Sequence, residues 1–298
     1  MENKLPSYGG QAVIEGVLMR GKTSVAMANR APSKEIIVTK EKLTGIYTSN
    51  LGKIPFLRGL IVLWDSLGLG MRFLTISANI QTGEEEKLEG PALYLTLIFS
   101  LLISVGLFFL TPALVSGLID QFFNVSNWVT NLLEGVLRLL ILLIYLIIIG
   151  KIPDVKRVFM YHGAEHKTIN AFENGIPLTP ENVAQYSVEH ERCGTSFILT
   201  LVILSIIFFS LLGPLPLHWR LISRLLMIPI LAGISYEYIH LLSKFEDSPI
   251  VKLIVKPNLA LQKMTTREPS LDMIEVAIRA FNEMRRMEED RAVVESPS

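Results

Sequence analysis

One short cluster of residues in the sequence has the spacing of a metal site, His162-Gly-Ala-Glu165-His166. The order H-x-x-E-H is that of the inverted zincin motif. On a helix, residues i and i+4 lie on one face about 6 Å apart along the axis, so two imidazoles can reach one ion. Glu165 points near the same face and could take a proton from water at the ion. The pattern therefore predicts a divalent metal site, with zinc as the favoured ion.

Two imidazoles do not complete a zinc site, so further ligands must come from other segments. His190 and Cys193 precede one long apolar block, and Glu237-x-x-His240 lies near the end of another. Glu-x-x-His is a spacing with which helical bundles bind metals. We therefore expect one or two ligands among Cys193, His190 and Glu237. His240 is expected in a supporting position. Glu173 follows the second motif histidine by about 10 Å along the axis, which is too far for the same ion, so it is expected either in a supporting position or as a ligand of a second ion.

Other interpretations of these residues stay open. A histidine near a membrane surface can be an amphipathic anchor, which is the interpretation favoured for His218. Cys193 could be a small buried residue, a ligand or the nucleophile of a thiol hydrolase. Glu237 could pair with a basic side chain. Glu134 and Arg138, four residues apart in an apolar block, are expected to pair with each other.

The apolar residues form long charge-free blocks, for example from Gly90 to Ile119. A helix needs roughly 20 apolar residues to cross the hydrocarbon of a bilayer. The fold class is therefore an α-helical polytopic membrane protein. Four transmembrane helices are expected at Tyr94–Ile119, Trp128–Gly150, Ser196–Leu212 and Leu221–Leu242. A fifth apolar segment, Gly59–Ile80, contains charges and three glycines, and is expected to be an interfacial or re-entrant helix.

The basic residues of the loops predict the orientation. The three segments that would share one face contain 25 Lys and Arg residues, whereas the two short connectors on the other face contain one. The positive-inside rule places both termini and the central loop in the cytoplasm of a bacterial cell, with the helices in its inner membrane. The lipid bilayer is thus the expected partner. The sequence leaves a homo-oligomer open.

We expect six segments along the chain. They are a cytoplasmic β-rich segment (1–53), an interfacial helix and linker (54–90), a transmembrane hairpin (91–150), a cytoplasmic loop with the HxxEH motif (151–195), a second hairpin (196–245) and a cytoplasmic tail with an amphipathic helix (246–298). The first contains three predicted strands, QAVIEGVLM, SVAMANR and EIIVT, with turns at Gly21-Lys22 and Pro32-Ser33. A helix is predicted from Pro153 to Asn174, and another after Ser270.

Two common functions find no support in the sequence. The 28 basic residues equal the 28 acidic ones, which gives no indication of nucleic-acid binding. Residues 16–23 match the phosphate-loop pattern G-x4-G-K-[ST], but that mechanism needs a helix after Thr23. The residues that follow, SVAMANR, predict a strand, so no nucleotide is expected. With Cys193 as the only cysteine, an internal disulfide is excluded.

Several motifs together resemble those of the YqhQ-like family of bacterial membrane proteins. They are YGGQAVIEGVLMR at 8–20, YHGAEHK at 161–167, RCGTSF at 192–197, ISYE at 234–237 and EVAI at 275–278. The family is of unknown function and is often labelled a predicted metal-dependent enzyme. The resemblance implicates His162, Glu165, His166, Cys193 and Glu237, together with Gln11, Glu15 and Arg20 near the N-terminus. The family commonly has His-Pro-Arg-Cys where this chain has His190-Glu-Arg-Cys193, so the histidine is kept.

The sequence thus predicts a membrane-embedded, metal-dependent hydrolase that acts on a peptide or a lipid-linked molecule. Glu165 is its expected general base, and Arg20 or Arg192 is expected to hold an anionic or carbonyl group. The alternative is a non-catalytic metal-binding factor for transport, sensing or scaffolding. An open coordination position would support the enzyme, whereas four protein ligands would support a structural site.

Overall fold

The protein, described by a computed structural model over residues 8–44, 54–83, 90–190, 193–211, 215–245 and 248–295, is mostly helical, with one small sheet. The strands are β1 (Gly9–Val13), β2 (Gly16–Arg20), β3 (Ser24–Arg30) and β4 (Ile36–Lys42). The helices are α1 (Leu57–Thr82), α2 (Gly90–Val105), α3 (Thr111–Phe123), α4 (Asn127–Ile149), α5 (Pro153–Glu173), α6 (Pro180–Val183), α7 (Thr195–Leu211), α8 (Leu217–Leu242), α9 (Pro249–Thr265) and α10 (Leu271–Glu295). A π-helical segment, Gly106–Leu110, joins α2 to α3, and a 3-10 turn, Ser243–Phe245, follows α8.

The four strands form an antiparallel meander in the order β1-β2-β3-β4. The sequence pattern predicts one strand, QAVIEGVLM, where the structure has β1 and β2. A turn at Ile14-Glu15 divides it, and Glu15 adopts a φ of 51°, in a region that few residues other than glycine occupy. The sequence pattern of the two short strands resembles that of one continuous strand, so it gave no indication of this turn. Those at Gly21-Lys22 and Pro32-Ser33 are confirmed, and Thr23 is followed by β3 and not by a helix.

Both faces of the sheet are buried, because alternate residues pack on different helices. Val17 and Met19 of β2 belong to a core cluster with residues of α5 and α10. Leu18, between them, belongs to a second cluster with Leu69 and Phe73 of α1. The β-rich segment, the central loop and the tail, which are far apart in sequence, therefore form one folded unit, called the cap below.

The helix α1 covers the predicted interfacial segment Gly59–Ile80. The C-terminal half of α1 packs on the sheet, and the Phe73 side chain is fully buried there. In the N-terminal half, Trp64 and Leu67 are exposed. The C-terminal half thus belongs to the cap, and an interfacial position for the N-terminal half stays a prediction.

Three helices of the described chain are long and apolar enough to cross a membrane: Gly90–Phe123, Asn127–Ile149 and His218–Phe245. They contain the first, second and fourth predicted spans. The segment predicted as the third is the 17-residue helix α7, which ends at Leu211 in the described chain. Seventeen residues extend about 26 Å, less than the roughly 30 Å of bilayer hydrocarbon. The count of four transmembrane helices is therefore not confirmed.

Candidate metal centre

The motif histidines lie on α5, which has clear sequence signals at both ends. Pro153 occupies its first turn, where a missing N–H is harmless, and Asp154 favours the positive end of the helix dipole. Gly175, with a φ of 69°, ends it, and the amide of Ile176 donates to the Ala171 carbonyl. The predicted helix is thus confirmed. One face of α5 packs against the sheet and α10. The motif lies next to Cys193 and to the end of α9.

His162, His166 and Cys193 converge on one point. One potential ligand atom of each, an imidazole nitrogen or the thiol sulfur, lies within 4.8 Å of the others. The Nε2 atom of His162 is 3.2 Å from the Cys193 sulfur. Cys193 is held near the start of α7, where its sulfur lies 3.2 Å from the Thr195 hydroxyl oxygen. Two nitrogens and one sulfur at this separation form a plausible donor set for zinc.

Backbone carbonyls orient both imidazoles. The Nδ1 atom of His162 donates to the Thr265 carbonyl at 2.9 Å, and that of His166 donates to the Val188 carbonyl at 2.6 Å. A carbonyl can only accept, so each Nδ1 bears the proton and each Nε2 has an unprotonated lone pair. The His166 Nε2 is buried and has no hydrogen-bond partner in the described part of the chain. This is the arrangement by which outer groups fix the tautomer of metal-bound histidines.

Burial also favours the protonation state that a ligand needs. It lowers the pKa of His166 below the ordinary value, so this imidazole is neutral at neutral pH. Glu165 lies beside the cluster, with a carboxylate oxygen 4.0 Å from the His162 Nε2. Burial raises the pKa of Glu165, against the opposing effects of His162 and His190. Glu165 is thus a buried carboxyl group next to the donor set, in the position expected of a proton acceptor.

Two glycines let the backbone approach the motif closely. A Cβ atom on Gly163 would lie 2.2 Å from the carbonyl oxygen of Arg267. The Arg267 amide donates to the Phe159 carbonyl, so this segment is held against α5. A Cβ on Gly10 of β1 would lie 2.9 Å from the Cγ of Glu165. The glycine of the motif therefore allows α5 to pack against the segment that bears the Thr265 carbonyl.

His190 is buried beside the cluster but has a different partner. Its Nε2 lies 3.3 Å from a Glu173 carboxylate oxygen, and its ring centroid is 5.8 Å from that of His166. Gln262 of α9 fixes the backbone of His190 through both its amide and its carbonyl. The structure therefore places the predicted ligand next to the donor set and the predicted supporting residue, Glu173, on its ring.

Glu237 and His240 contact groups other than the three clustered donors. Glu237 forms an ion pair with Arg58 and accepts from the Phe56 amide at 3.0 Å. His240 stacks on Tyr236 with ring planes 8° apart. The pairing of Glu237 with a basic side chain, one of the two interpretations left open, is what the structure shows. Hydropathy predicted a depth for this carboxylate but could not define the direction in which its side chain points.

The predicted site residues near the N-terminus, Gln11, Glu15 and Arg20, contact different parts of the structure. Glu15 accepts from Arg157 at 2.5 and 2.6 Å and from the Tyr161 hydroxyl at 3.3 Å, which ties the β1–β2 turn to α5. Gln11 packs against Gly70 of α1. Arg20 is the half-buried last residue of β2. Arg192 lies outside the described residues. The catalytic roles expected for the two arginines stay predictions.

The groups that orient the histidines are not evident from the sequence pattern. Thr265 and Gln262 belong to α9, a helix that was not predicted separately from the tail. Ser248 followed by Pro249 is a helix-start signal that would have located it. The Thr265 and Val188 contributions are backbone carbonyls, which any residue provides, so no side-chain pattern could have indicated them.

The fold and this centre can now be compared with known proteins. The profile of a family described as "Protein of unknown function (DUF1385)" matches residues 54–287. The chain therefore belongs to this family. It is similar to the "Uncharacterized protein YqhQ" of Bacillus subtilis, with 38% identity over 300 residues, which cover 95% of this chain and 93% of that protein. The resemblance drawn from the motifs is thus confirmed. No solved structure matches.

Proposed function

We propose that the protein is a membrane-embedded, zinc-dependent hydrolase with its site at the cytoplasmic membrane face. The main support is the orientation of the two motif histidines. His162 and His166 each donate their Nδ1 proton to a carbonyl, the His162 Nε2 lies 3.2 Å from the Cys193 sulfur, and one potential ligand atom of each of the three residues lies within 4.8 Å of the others. Histidines in an ordinary core have no reason to share this orientation around a thiol. Three protein ligands leave a fourth position for water or substrate, as in catalytic zinc sites.

The bound ion would supply Lewis acidity toward a carbonyl or phosphoryl oxygen. Glu165 accepts a proton from the attacking water, because its carboxylate lies 4.0 Å from the Nε2 of His162 and reaches the same space. The same residue returns the proton to the leaving group. Arg20 and Arg192 are the proposed contacts for an anionic part of the substrate. A peptide or a lipid-linked molecule fits a site between the cap and the apolar helices.

A non-catalytic metal-binding factor is the second candidate. The position of His190 favours it, because this imidazole is buried 5.8 Å from the His166 ring and could become a fourth ligand. Release of its contact with Glu173 would be needed. Four protein ligands would close the site to substrate and make it structural.

The substitution Glu165→Gln separates the two candidates. Glutamine keeps the size of the side chain but cannot accept a proton at neutral pH. We expect purified Glu165→Gln protein to keep the zinc of the wild type and to lose hydrolysis of a fluorogenic peptide and ester panel by about 100-fold or more. The control, Glu275→Gln, alters an exposed carboxylate of α10 and should change neither. Loss of zinc from Glu165→Gln would make Glu165 a ligand and leave the hydrolase without a base.

A further inference from the structure

A second cluster of buried charges lies among the apolar helices. Glu134 and Arg138 of α4 and Arg224 of α8 have side chains that are only 1–3% exposed. Glu134 is in the second turn of α4, whereas α5 follows the other end of this helix. The distance along the axis from Glu134 to the last residue of α4 is about 22 Å. The cluster is thus separate from the candidate metal centre and lies toward the opposite end of the helices.

One carboxylate serves two arginines in this cluster. Arg224 donates from Nε and Nη2 to the two oxygens of Glu134 at 2.8 and 2.7 Å. Arg138 donates from Nη2 to the same carboxylate at 2.9 Å and from Nη1 to the Ser205 hydroxyl of α7 at 3.0 Å. The predicted Glu134–Arg138 pair is therefore present. It is part of a larger network that also fixes the second guanidinium.

The π-helical segment Gly106–Leu110 contributes a backbone acceptor to this network. Arg138 donates from Nε to the Phe108 carbonyl at 3.0 Å. Phe108 lies in the π-helical segment, and Pro112, four residues later, has no N–H to offer that carbonyl. Short π-helical segments within α-helices often occur at functional sites. Elements from four parts of the chain thus converge to hold the arginines in place.

The charges of this region do not balance. Arg220 lies one turn before Arg224, on the same face of α8, and is only 5% exposed. Its side chain has no ion pair or hydrogen bond within the described ranges of the chain. Among the described residues, Arg220 and the network described above together contain three guanidinium groups and one carboxylate. Charged residues among membrane helices usually mark a ligand or ion path.

We propose that Arg138, Arg220 and Arg224 form a binding site for a phosphate group. A phosphate carries up to two negative charges, which would balance the excess, and guanidinium groups bind its oxygens in a bidentate geometry. Glu134 holds two of the arginines in place before the ligand arrives. Arg220 is the fourth residue of α8, about 5 Å from the helix end. That depth is accessible to a phospholipid headgroup and to free phosphate from water.

The test is binding of phosphate probes to the full-length protein purified in dodecyl maltoside. Inorganic phosphate and dioctanoyl phosphatidic acid are titrated separately, and binding is followed by the thermal unfolding temperature and by tryptophan fluorescence. Trp219 is adjacent to Arg220 and provides a local probe. Saturable binding of inorganic phosphate would identify a soluble ligand. Binding of the lipid alone would identify a headgroup site.

The variant Arg220→Gln should weaken binding at least tenfold, since this side chain has no role in the Glu134 network. The matched control Arg72→Gln, which removes an exposed arginine of α1, should bind like the wild type. Arg220→Lys keeps the charge but not the bidentate fork, so an intermediate affinity is expected. It also serves as the test if Arg220→Gln does not fold. Failure of both probes to bind the wild type, or unchanged affinity in the Arg220 variants, would overturn the proposal.

Discussion

Single residues of the candidate centre differ in what they should contribute to metal binding. His162 and His166 offer Nε2 atoms with unprotonated lone pairs, so each is expected to be a ligand. Replacing either with alanine should lower zinc affinity by about 100-fold or more, beyond the 10–100-fold typical of residues outside the coordination sphere. Metal stoichiometry of the purified variants measures this. His218→Ala, which alters an exposed histidine at the far end of α8, is the control.

Glu237 should behave differently from the motif histidines. Because it pairs with Arg58 and the Phe56 amide, we expect Glu237→Gln to keep the zinc of the wild type. Stability should fall by about 1 kcal/mol or less, as is usual for partly exposed ion pairs. Metal analysis and thermal unfolding in detergent test both statements. Loss of zinc from Glu237→Gln would instead identify Glu237 as a metal ligand.

At the scale of elements, the close packing of α5 against the Arg267 segment is needed for the site. In Gly163→Ala, the new methyl group would meet the Arg267 carbonyl at 2.2 Å, and backbone cannot move aside cheaply. We expect a loss of about 1–3 kcal/mol and weaker zinc binding, because the Thr265 carbonyl shifts with this segment. Gly68→Ala is the matched control, since a Cβ there meets open space within α1. Equal stability and zinc content of the two variants would contradict this packing.

The contact between β4 and α10 predicts a dependence on pH. Lys40 donates to Glu283 at 2.8 Å and lowers the pKa of this carboxyl below its ordinary value. A carboxyl with a lowered folded-state pKa stabilises the fold above its unfolded pKa of about 4.3 and loses that effect as pH falls through the folded value. Lys40→Met should therefore lower stability by up to about 1 kcal/mol at pH 7. The difference in unfolding midpoint from the wild type should shrink as pH falls below about 4.3 and through the lower folded-state pKa of Glu283; a constant difference would refute the linkage.

Local patterns predicted the elements better than their contacts. The helix α5 was predictable because Pro153, Asp154 and Gly175 mark its ends and the motif lies on one of its faces. The convergence of Cys193 with the motif could be expected, since both segments flank the same apolar helices. Glu237 was grouped with them because hydropathy reports depth and not the direction of a side chain. The carbonyl partners and the packing of the cap depend on long-range contacts that no local pattern contains.

At the scale of the whole molecule, the apolar helices and the cap define two environments. Leu101, Ile147 and Leu226 are among many large apolar side chains exposed on the helices, as expected for a surface in contact with lipid. The cap buries its apolar residues on both faces of the sheet. The candidate metal centre lies where the cap meets the ends of the apolar helices. The side of the membrane on which the cap lies therefore determines the compartment in which the site would act.

The orientation of the whole molecule is testable with reporter fusions. With 25 Lys and Arg residues in the segments of one side and one in the connectors of the other, we expect fusions after Gly150 and at the C-terminus to report the cytoplasm. Fusions near Asn124 should report the outside. A cap that reports the outside would contradict the proposed location of the site.

The most direct test of the central claim is X-ray absorption at the zinc edge of the purified, zinc-loaded protein. The donor set of His162, His166 and Cys193 predicts one sulfur at about 2.3 Å and two imidazole nitrogens at about 2.0–2.1 Å, with a further light atom in the open position. In Cys193→Ser, the sulfur contribution should disappear while imidazole scattering remains. A wild-type spectrum without sulfur, or one unchanged by Cys193→Ser, would contradict the proposed centre.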